Sequence, residues 1–498
     1  MKYVIGVDLG TSAVKTLLIG QDGILMAEAT KEYPLYHEHA GWSEQDPEDW
    51  VTGTTGALRE LLENSGVNPS EIEGISFSGQ MHGLVLLDAN DRPVRRAILW
   101  NDTRTTEQCR EIERKLGEKL LSITRNPALE GFTLPKILWV KRHEPETYAQ
   151  ASCFLLPKDY LRLRLTGTSQ MDLSDAAGTL MLDVAGKRWS EDVLNAFDIP
   201  ASFCPLLVEA VAFTGTLTPE ASVMTGLAES TKVFAGGADN ACGAIGAGIL
   251  SPGMTLCSIG TSGVILTYEA DASADYEGKV HFFNHGQANS YYAMGVTLAA
   301  GYSLSWFRNT FAKGESFDSL LEGVNDISEG SNGLLFTPYI VGERTPHADS
   351  QIRGSFIGID GSHTRAHFAR AVMEGITLSL NESIAIFRAA GKRIDTIVSI
   401  GGGAKNPLWL QMQADIFRAN VVALDNEQGP GLGAAMLAAV GSGWYPSLQA
   451  CGEAFVKPKQ TYRPNEEASN RYDQLFRVYQ QAYGQTKDMN HSLYAFRN

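Results

Sequence analysis

An aspartate followed by a glycine and two hydroxyl residues stands near the start of this 498-residue chain. Asp8 ends a short apolar run and precedes Gly10-Thr11-Ser12. A carboxylate can hold Mg²⁺, while the N–H groups of a tight turn and the hydroxyls of Thr11 and Ser12 can meet phosphate oxygens. The alternative is an aspartate that only closes a hairpin turn. The pattern therefore predicts a metal and phosphate site at Asp8, with a simple turn as the competing interpretation.

A second turn of the same composition, Gly260-Thr261-Ser262, also lies between two apolar runs. Gly10 and Gly260 are 260 − 10 = 250 positions apart. Similarity at a fixed distance is the sign of an internal duplication. Two facing phosphate-binding turns can hold one nucleotide from both sides. Two turns without a role in binding would have no reason to share the same sequence. The repeat therefore favours the phosphate interpretation of both turns.

Apolar periodicity predicts the elements that position the first turn and the junction between two lobes. Residues 3–8 and 13–20 indicate the two strands of a hairpin. Small residues at helical spacing from 236 to 248 predict a helix that packs closely against another backbone. A chain of this length is too long for one ordinary core. We therefore expect two lobes, residues 1–248 and 249–498.

Glycine-rich segments in the second lobe predict a nucleotide-binding turn. Residues 396–399, 400–404 and 408–417 follow the order of strand, loop and amphipathic helix that such turns have. The glycine-rich residues 429–433 precede a small-residue helix predicted at 434–440. The charged stretch from 466 to 498 predicts a solvated C-terminal helix.

Composition excludes several classes of function. The net charge of −16 disfavours binding to nucleic acid or to anionic membranes, because the long-range field repels both. The six cysteines include no Cys-x-x-Cys pair, so neither a zinc site nor a disulfide framework is indicated. No signal peptide and no run of about 20 apolar residues is present. These features predict a soluble cytoplasmic protein without nucleic-acid or membrane partners.

Two long segments resemble the signatures of the FGGY carbohydrate kinases. They are GFTLPKILWVKRH at 131–143 and the stretch from Gly354 to Glu374. The resemblance covers nearly the whole chain and implies an α/β fold with two duplicated ribonuclease-H-like lobes around a nucleotide- and sugar-binding cleft, as in sugar kinases, actin and heat-shock ATPases. The N-terminal lobe would bind sugar and the C-terminal lobe would bind nucleotide. A conformational ATPase like actin or the chaperones is the alternative from another class.

Five further segments are most similar to family members that phosphorylate D-xylulose. They are residues 78–83, 99–104, 156–160, 174–179 and 342–347. The resemblance implies transfer of the γ-phosphate of ATP to the C5 hydroxyl of D-xylulose, with L-ribulose or gluconate as alternative acceptors. Gluconate is disfavoured because no Arg or Lys adjoins Met81 and His82 in the sequence to receive its carboxylate. Many family members form dimers, so a homodimer is a candidate assembly that no residue pattern tests.

The resemblance also implies a role for each candidate site residue. Asp239 is the expected catalytic base, and Asp8 is expected to organise Mg²⁺ and the phosphates. The expected sugar contacts are Gln80, Met81, His82, Asp239 and Asn240. The expected nucleotide contacts are Thr11, Ser12, Gly260, Thr261, Gly402, Gly403 and Asn406.

The proposed chemistry calls for these residue types independently. A sugar hydroxyl is a weak nucleophile, so a carboxylate must accept its proton as it attacks phosphorus, and Asp239 suits this task. Asp239 could instead cap a helix. His82 could donate to a sugar hydroxyl or be structural, while Met81 offers apolar contact. Trp306 could flank adenine, but its apolar surroundings favour a core position.

Overall fold

Two mixed β-sheets organise the protein, whose computed structural model describes residues 2–497. The strands of the first half are β1 (Tyr3–Leu9), β2 (Ala13–Gly20), β3 (Leu25–Glu32), β4 (Glu44–Gln45), β5 (Ile72–Gly79), β6 (Val85–Leu87), β7 (Ala97–Ile98), β8 (Cys153–Leu155), β9 (Gln170–Asp172), β10 (Leu182–Asp183), β11 (Arg188–Trp189), β12 (Leu206–Val208), β13 (Phe213–Thr216), β14 (Lys232–Phe234) and β15 (Gly237–Ala238). Those of the second half are β16 (Met254–Ile259), β17 (Gly263–Glu269), β18 (His281–Asn284), β19 (Tyr291–Thr297), β20 (Leu335–Thr337), β21 (Ser355–Ile357), β22 (Thr396–Gly401), β23 (Asn420–Leu424) and β24 (Pro458–Tyr462).

Helices cover both sheets. Those of the first half are α1 (Pro47–Ser65), α2 (Thr106–Leu116), α3 (Glu118–Thr124), α4 (Thr133–His143), α5 (Pro145–Gln150), α6 (Pro157–Thr166), α7 (Leu173–Ala177), α8 (Glu191–Ala196), α9 (Pro219–Thr225) and α10 (Asp239–Gly246). Those of the second half are α11 (Gly301–Phe311), α12 (Phe317–Leu320), α13 (Arg365–Ala389), α14 (Pro407–Phe417), α15 (Gly429–Gly441), α16 (Leu448–Phe455) and α17 (Glu466–Tyr494). Within residues 2–497, none of these helices combines the length and the apolar character that a membrane crossing requires.

The two sheets repeat one strand order and one set of directions. The first runs β13-β14-β5-β1-β2-β3, and the second runs β24-β23-β22-β16-β17-β19 with β18 added at its edge. In each sheet an antiparallel hairpin, β1–β2 or β16–β17, is followed by a parallel neighbour of its first strand, β5 or β22. This match confirms the duplication predicted from Gly10 and Gly260, since each Gly-Thr-Ser turn joins the hairpin of its own sheet.

The first sheet is buried on both faces because its strands alternate between two cores. Ile5, Val7 and Leu9 of β1 belong to a cluster that includes residues of α1 and α6. Val4 belongs instead to a cluster with Leu432 and other residues of α15 and α16. The first face is thus covered by helices of the first half of the chain, and the second face by α15 and α16 of the second half together with α10.

Helices α10 and α15 pack against each other backbone to backbone. A Cβ added to Gly433 of α15 would overlap the main-chain carbonyl of Cys242 in α10. Small residues permit this approach, which confirms the close packing predicted for the helix within 236–248. Because α15 also packs on β1 and β5, a helix from the second half of the chain is built into the first lobe.

The C-terminal helix α17 is docked rather than freely solvated. Tyr472 and Tyr479, two turns apart, are fully buried, and the Tyr472 hydroxyl donates to Glu374 Oε1 at 2.9 Å. The prediction of a solvated helix is therefore wrong for its inner face, where these tyrosines pack on the second lobe. Asn498, the last residue of the predicted stretch, lies outside the described residues.

Candidate active site

A cavity of about 440 Å³ lies between the two lobes, and residues of both halves line it. We call it the Asp239 cavity. It brings together four of the predicted sugar-site residues, which are Met81, His82, Asp239 and Asn240. Other lining residues include Trp100, Asp102, Glu130, Phe132, Ser262, His281, Phe283 and Arg344. A polar ligand of a few carbon atoms would contact donors, acceptors and aromatic faces at once.

Asp239 is held at the start of a helix inside this cavity. It is the first residue of α10 and Ala238 is the N-cap, so the interpretation of Asp239 as the helix cap is wrong. Asn240 donates to Asp239 Oδ1 from its backbone N at 2.7 Å and from Nδ2 at 3.0 Å. Burial and, next, the charge of Asp8 raise the pKa of Asp239 to about 7, against the opposing effect of Asn240. A carboxyl group with such a pKa can accept a proton near neutral pH.

His82 is a neutral hydrogen-bond acceptor. Its Nδ1 lies 2.6 Å from the carbonyl oxygen of Gly178. Because a carbonyl oxygen only accepts, Nδ1 carries the proton. Burial lowers the pKa of His82 to about 3, so the ring is uncharged and Nε2 has a free lone pair. The expectation that His82 donates to a sugar hydroxyl is therefore wrong, because the ring can only accept from one at Nε2.

Asp8 lies at the end of β1, beside Ser78 of β5 and Lys15 of β2 in the sheet register. Burial raises the pKa of Asp8 to about 6, although Ser78 and Lys15 oppose the rise. Asp8 and Asp239 also repel each other electrostatically. Two half-buried carboxylates that repel each other form a site that a cation would stabilise.

The first Gly-Thr-Ser turn is tied to the Asp239 cavity through Trp100. Trp100 Nε1 donates to Thr11 Oγ1 at 2.9 Å, and Ser12 is exposed on the same turn. Gln80 does not line the cavity, contrary to the prediction of a sugar contact. Its Nε2 donates to Gln45 Oε1 at 3.0 Å, and Gln45 Nε2 in turn donates to the carbonyl of Thr11 at 2.7 Å. Gln80 therefore supports the turn from behind.

A second cavity, of about 530 Å³, lies in the second lobe and is called the Gly403 cavity here. It brings together all the nucleotide contacts predicted in that lobe, which are Gly260, Thr261, Gly402, Gly403 and Asn406. A Cβ at Gly403 would lie 2.8 Å from Ile259 Cβ, so a larger residue would push the loop away from this strand. The side chain of Asn406 caps α14 by accepting from Trp409 N at 3.1 Å.

The walls of the Gly403 cavity are largely apolar. Tyr302, Leu304, Phe317, Leu321 and Trp409 form them, and Lys405 adds a positive charge. Flat apolar walls beside a glycine-rich turn suit a purine and its phosphates. Trp306 lies outside the cavity and packs against Phe336, with ring centroids 6.4 Å apart, as its apolar surroundings predicted.

Arg344 is the main residue that sequence reasoning missed. It lies in the matched segment 342–347, which was the available signal, and it enters the Asp239 cavity from the second lobe. Its neighbour Glu343 fixes the loop, because Glu343 Oε2 accepts from Thr297 Oγ1 at 2.7 Å and Oε1 accepts from Leu298 N at 3.2 Å. The argument against gluconate from the absence of a nearby cation is thus wrong, since Arg344 shares the cavity with His82.

Comparison with known proteins identifies the family. The N-terminal domain model of the FGGY family of carbohydrate kinases matches residues 3–246, and the C-terminal domain model matches residues 255–442. A xylulose kinase of Bacillus subtilis is 61% identical over 100% of both chains. Among solved structures, a ligand-bound xylulose kinase of Lactobacillus acidophilus is 27% identical with a TM-score of 0.93, over 98% of this chain and 99% of that one. A gluconate kinase of the same organism is 28% identical with a TM-score of 0.93, over 97% and 98%.

These matches span both lobes and the junction between them. The alternative of an actin-like or chaperone-like conformational ATPase is therefore wrong. The chain belongs to the FGGY family of carbohydrate kinases.

Proposed function

We propose that the protein transfers the γ-phosphate of ATP to the C5 hydroxyl of D-xylulose, giving D-xylulose 5-phosphate and ADP. The observation that carries this proposal is the Asp239 cavity, in which a carboxyl group with a pKa of about 7 faces Met81, His82 and Asn240. The 61% identity to a protein named xylulose kinase supports the choice of sugar.

Asp239 acts as the general base. Both hydrogen bonds from Asn240 go to Oδ1, so Oδ2 remains for the sugar hydroxyl. As that oxygen attacks the γ-phosphorus, its proton passes to Asp239, and this assistance is worth about 10²–10⁴ in rate. The remaining rate enhancement comes from positioning and from neutralisation of the phosphate charge.

The rest of the cavity matches the alternating donors and acceptors of a sugar. His82 Nε2 accepts a hydrogen bond from a sugar hydroxyl, whereas the Arg344 guanidinium donates one. The Asn240 amide, whose Nδ2 already donates to Asp239 Oδ1 and Met81 Sδ, lies beside them. The apolar surfaces of Met81 and Phe132 pack against carbon atoms of the sugar. Since Arg344 comes from the second lobe, sugar bound to the first lobe gains this contact only when the lobes are close together, which favours exclusion of water.

ATP would occupy the Gly403 cavity, with adenine between its apolar walls and phosphates directed toward the turns at Thr11 and Thr261. Asp8 would hold Mg²⁺, and its repulsion with Asp239 fits a site completed by a cation. When bound, Mg²⁺ neutralises negative charge on the transferring phosphoryl group. Asp8 has the acceptor-only carboxylate that this ion prefers.

Gluconate is the second candidate acceptor, because Arg344 could pair with its carboxylate. Glu130 lines the same cavity and carries the opposite charge, so the cavity as a whole does not favour an anion. This balance supports a neutral ketose over an aldonate.

The deciding experiment measures ADP release by the purified protein with Mg·ATP. The acceptors are D-xylulose, L-xylulose, D-ribulose, L-ribulose, gluconate and no sugar. Stimulation chiefly by D-xylulose supports the proposal. Preference for gluconate assigns Arg344 to a carboxylate, and turnover that is independent of every sugar overturns the kinase proposal.

A further inference from the structure

Five charged side chains are buried together behind Asp239. They are Lys158, Asp159, Arg162, Asp172 and Asp175, and each residue is fully buried. Lys158 Nζ lies 2.6 Å from Asp159, 2.7 Å from Asp172 and 2.9 Å from Asp175. The three carboxylates have the spacing of a metal site, but the Lys158 ammonium contacts all of them and already supplies the positive charge.

Opposite charges contact one another in this group. Burial alone would lower the pKa of Lys158, but the three carboxylates together raise it above its ordinary value. Burial raises the pKa of Asp159 and of Asp175, and the charge of Lys158 opposes the rise in both. Two basic side chains, Lys158 and Arg162, are thus enclosed with three acidic ones. A buried charged group is seldom more stabilising than apolar residues of similar volume. Its role is therefore better inferred from the hydrogen bonds and contacts that link it to neighbouring backbone.

One connection leads to the catalytic base. Asp172 Oδ2 accepts from Ser174 N at 2.8 Å and from Ser174 Oγ at 2.5 Å. Ser174 Oγ in turn accepts from the backbone N–H of Ala238 at 2.9 Å, and Ala238 directly precedes Asp239. Gly237 and Ala238 are paired with β5 on the other side. The residue before the base is therefore held between a strand and a buried hydroxyl.

Two further connections hold neighbouring backbone. Arg162 Nη1 donates to the carbonyl of Ala235 at 2.7 Å, which fixes the other end of segment 235–238. A Cβ on Gly79 would lie 2.5 Å from Lys158 Cβ, so the lysine abuts the end of β5, just before the loop that carries Met81 and His82. The network thus touches both the segment of the base and the strand that leads to the sugar loop.

We propose that Lys158, Asp172 and Ser174 are positioning residues that fix the backbone before Asp239 and so place its carboxylate for proton transfer from the sugar. This inference rests on the proposed function, because it concerns the base of that reaction. None of the three side chains lines either cavity, so their effect on the reaction passes through the position of Asp239.

The test is Ser174→Ala, which removes the acceptor of the Ala238 N–H and leaves the charges in place. Because one hydrogen bond is lost, we expect kcat to fall by about five- to tenfold, while the sugar KM stays within about twofold of the wild-type value. The acid limb of the kcat–pH profile should move to lower pH as Asp239 gains access to water. Ser174→Thr keeps the hydroxyl and should restore most of the kcat.

Ser469→Ala is the matched control, because Ser469 is also fully buried and its hydroxyl donates to the carbonyl of Asp415 at 2.8 Å, far along the chain from Asp239. It should lower the melting temperature without changing kcat or the acid limb. If Ser174→Ala only lowers the melting temperature, the positioning inference is overturned and the kinase proposal stands. If wild-type protein responds to no sugar in the panel, the proposed function fails and this inference fails with it.

Discussion

Asp239→Asn separates the chemical step from binding. The amide cannot accept a proton but keeps nearly the same volume, so the sugar contacts proposed for Asn240 and Met81 should be retained. We expect kcat to fall by about 10²–10⁴, with sugar affinity within about threefold of wild type, since a binding contact that is retained changes Kd little. Single-turnover formation of ADP measures the first quantity, and titration with sugar in the absence of ATP measures the second.

The same substitution has a calculable effect on stability. The pKa of Asp239 is about 7 in the folded chain, against an ordinary value of 3.8. The folded state binds this proton more tightly, so the linked stability is fully present below pH 3.8 and is lost as pH rises through 7. At 1.36 kcal/mol per pKa unit, the difference between 3.8 and about 7 corresponds to about 4 kcal/mol of stability. Because the carboxylate is open to the cavity, solvent screening reduces this value to about 1–3 kcal/mol. The unfolding free energy of Asp239→Asn relative to wild type should rise by this amount between about pH 4.5 and about pH 8.

Urea unfolding at the two pH values measures the change. Asp192→Asn is the control, because the side chain of Asp192 is 58% exposed and pairs with Lys119 at the surface. It should leave kcat unchanged. Asp239→Asn with a kcat within tenfold of wild type would refute Asp239 as the base. A stability difference that does not change with pH would refute the raised pKa.

Three further substitutions test the cavities and the junction. Arg344→Leu should raise the sugar KM by about tenfold or more, because a charged donor is lost, and steady-state kinetics with an unchanged KM would contradict the contact. Gly433→Ala should lower the unfolding free energy by about 1–3 kcal/mol, since the added methyl overlaps Cys242, and thermal unfolding at the wild-type temperature would disprove this packing. Trp100→Phe loses the 2.9 Å bond to Thr11 and should raise KM for both sugar and Mg·ATP about fivefold, whereas an effect on one substrate alone would show that the bond does not couple the two sites.

The duplicated framework could be predicted because its signals are local. The turns at Gly10 and Gly260 have the same composition, and the apolar runs on either side of each turn specify a hairpin. The loop at Gly402 and Gly403 likewise stands between a strand and a helix that periodicity identifies. Each of these predictions depends on residues close together in sequence.

The chemistry of the cavity depends on contacts between distant residues, which sequence patterns do not specify. The tautomer of His82 is set by the carbonyl of Gly178, so the direction of its hydrogen bond could not be predicted. Arg344 reaches the cavity from the other lobe, and His281 comes from a strand with no motif. The docking of α17 depends on buried tyrosines that a count of charged residues conceals.

During synthesis, the first sheet cannot be covered on both faces until the helix from Gly429 to Gly441 has been made. This helix covers a face of the first sheet that includes Val4, Leu17 and Ile19, although these strands leave the ribosome long before it does. A nascent chain that has reached only the junction must therefore keep an apolar sheet face uncovered, the condition in which chaperones are needed. A truncated product ending at residue 248 would retain that uncovered face permanently, so we expect premature termination to give aggregates rather than a free N-terminal lobe.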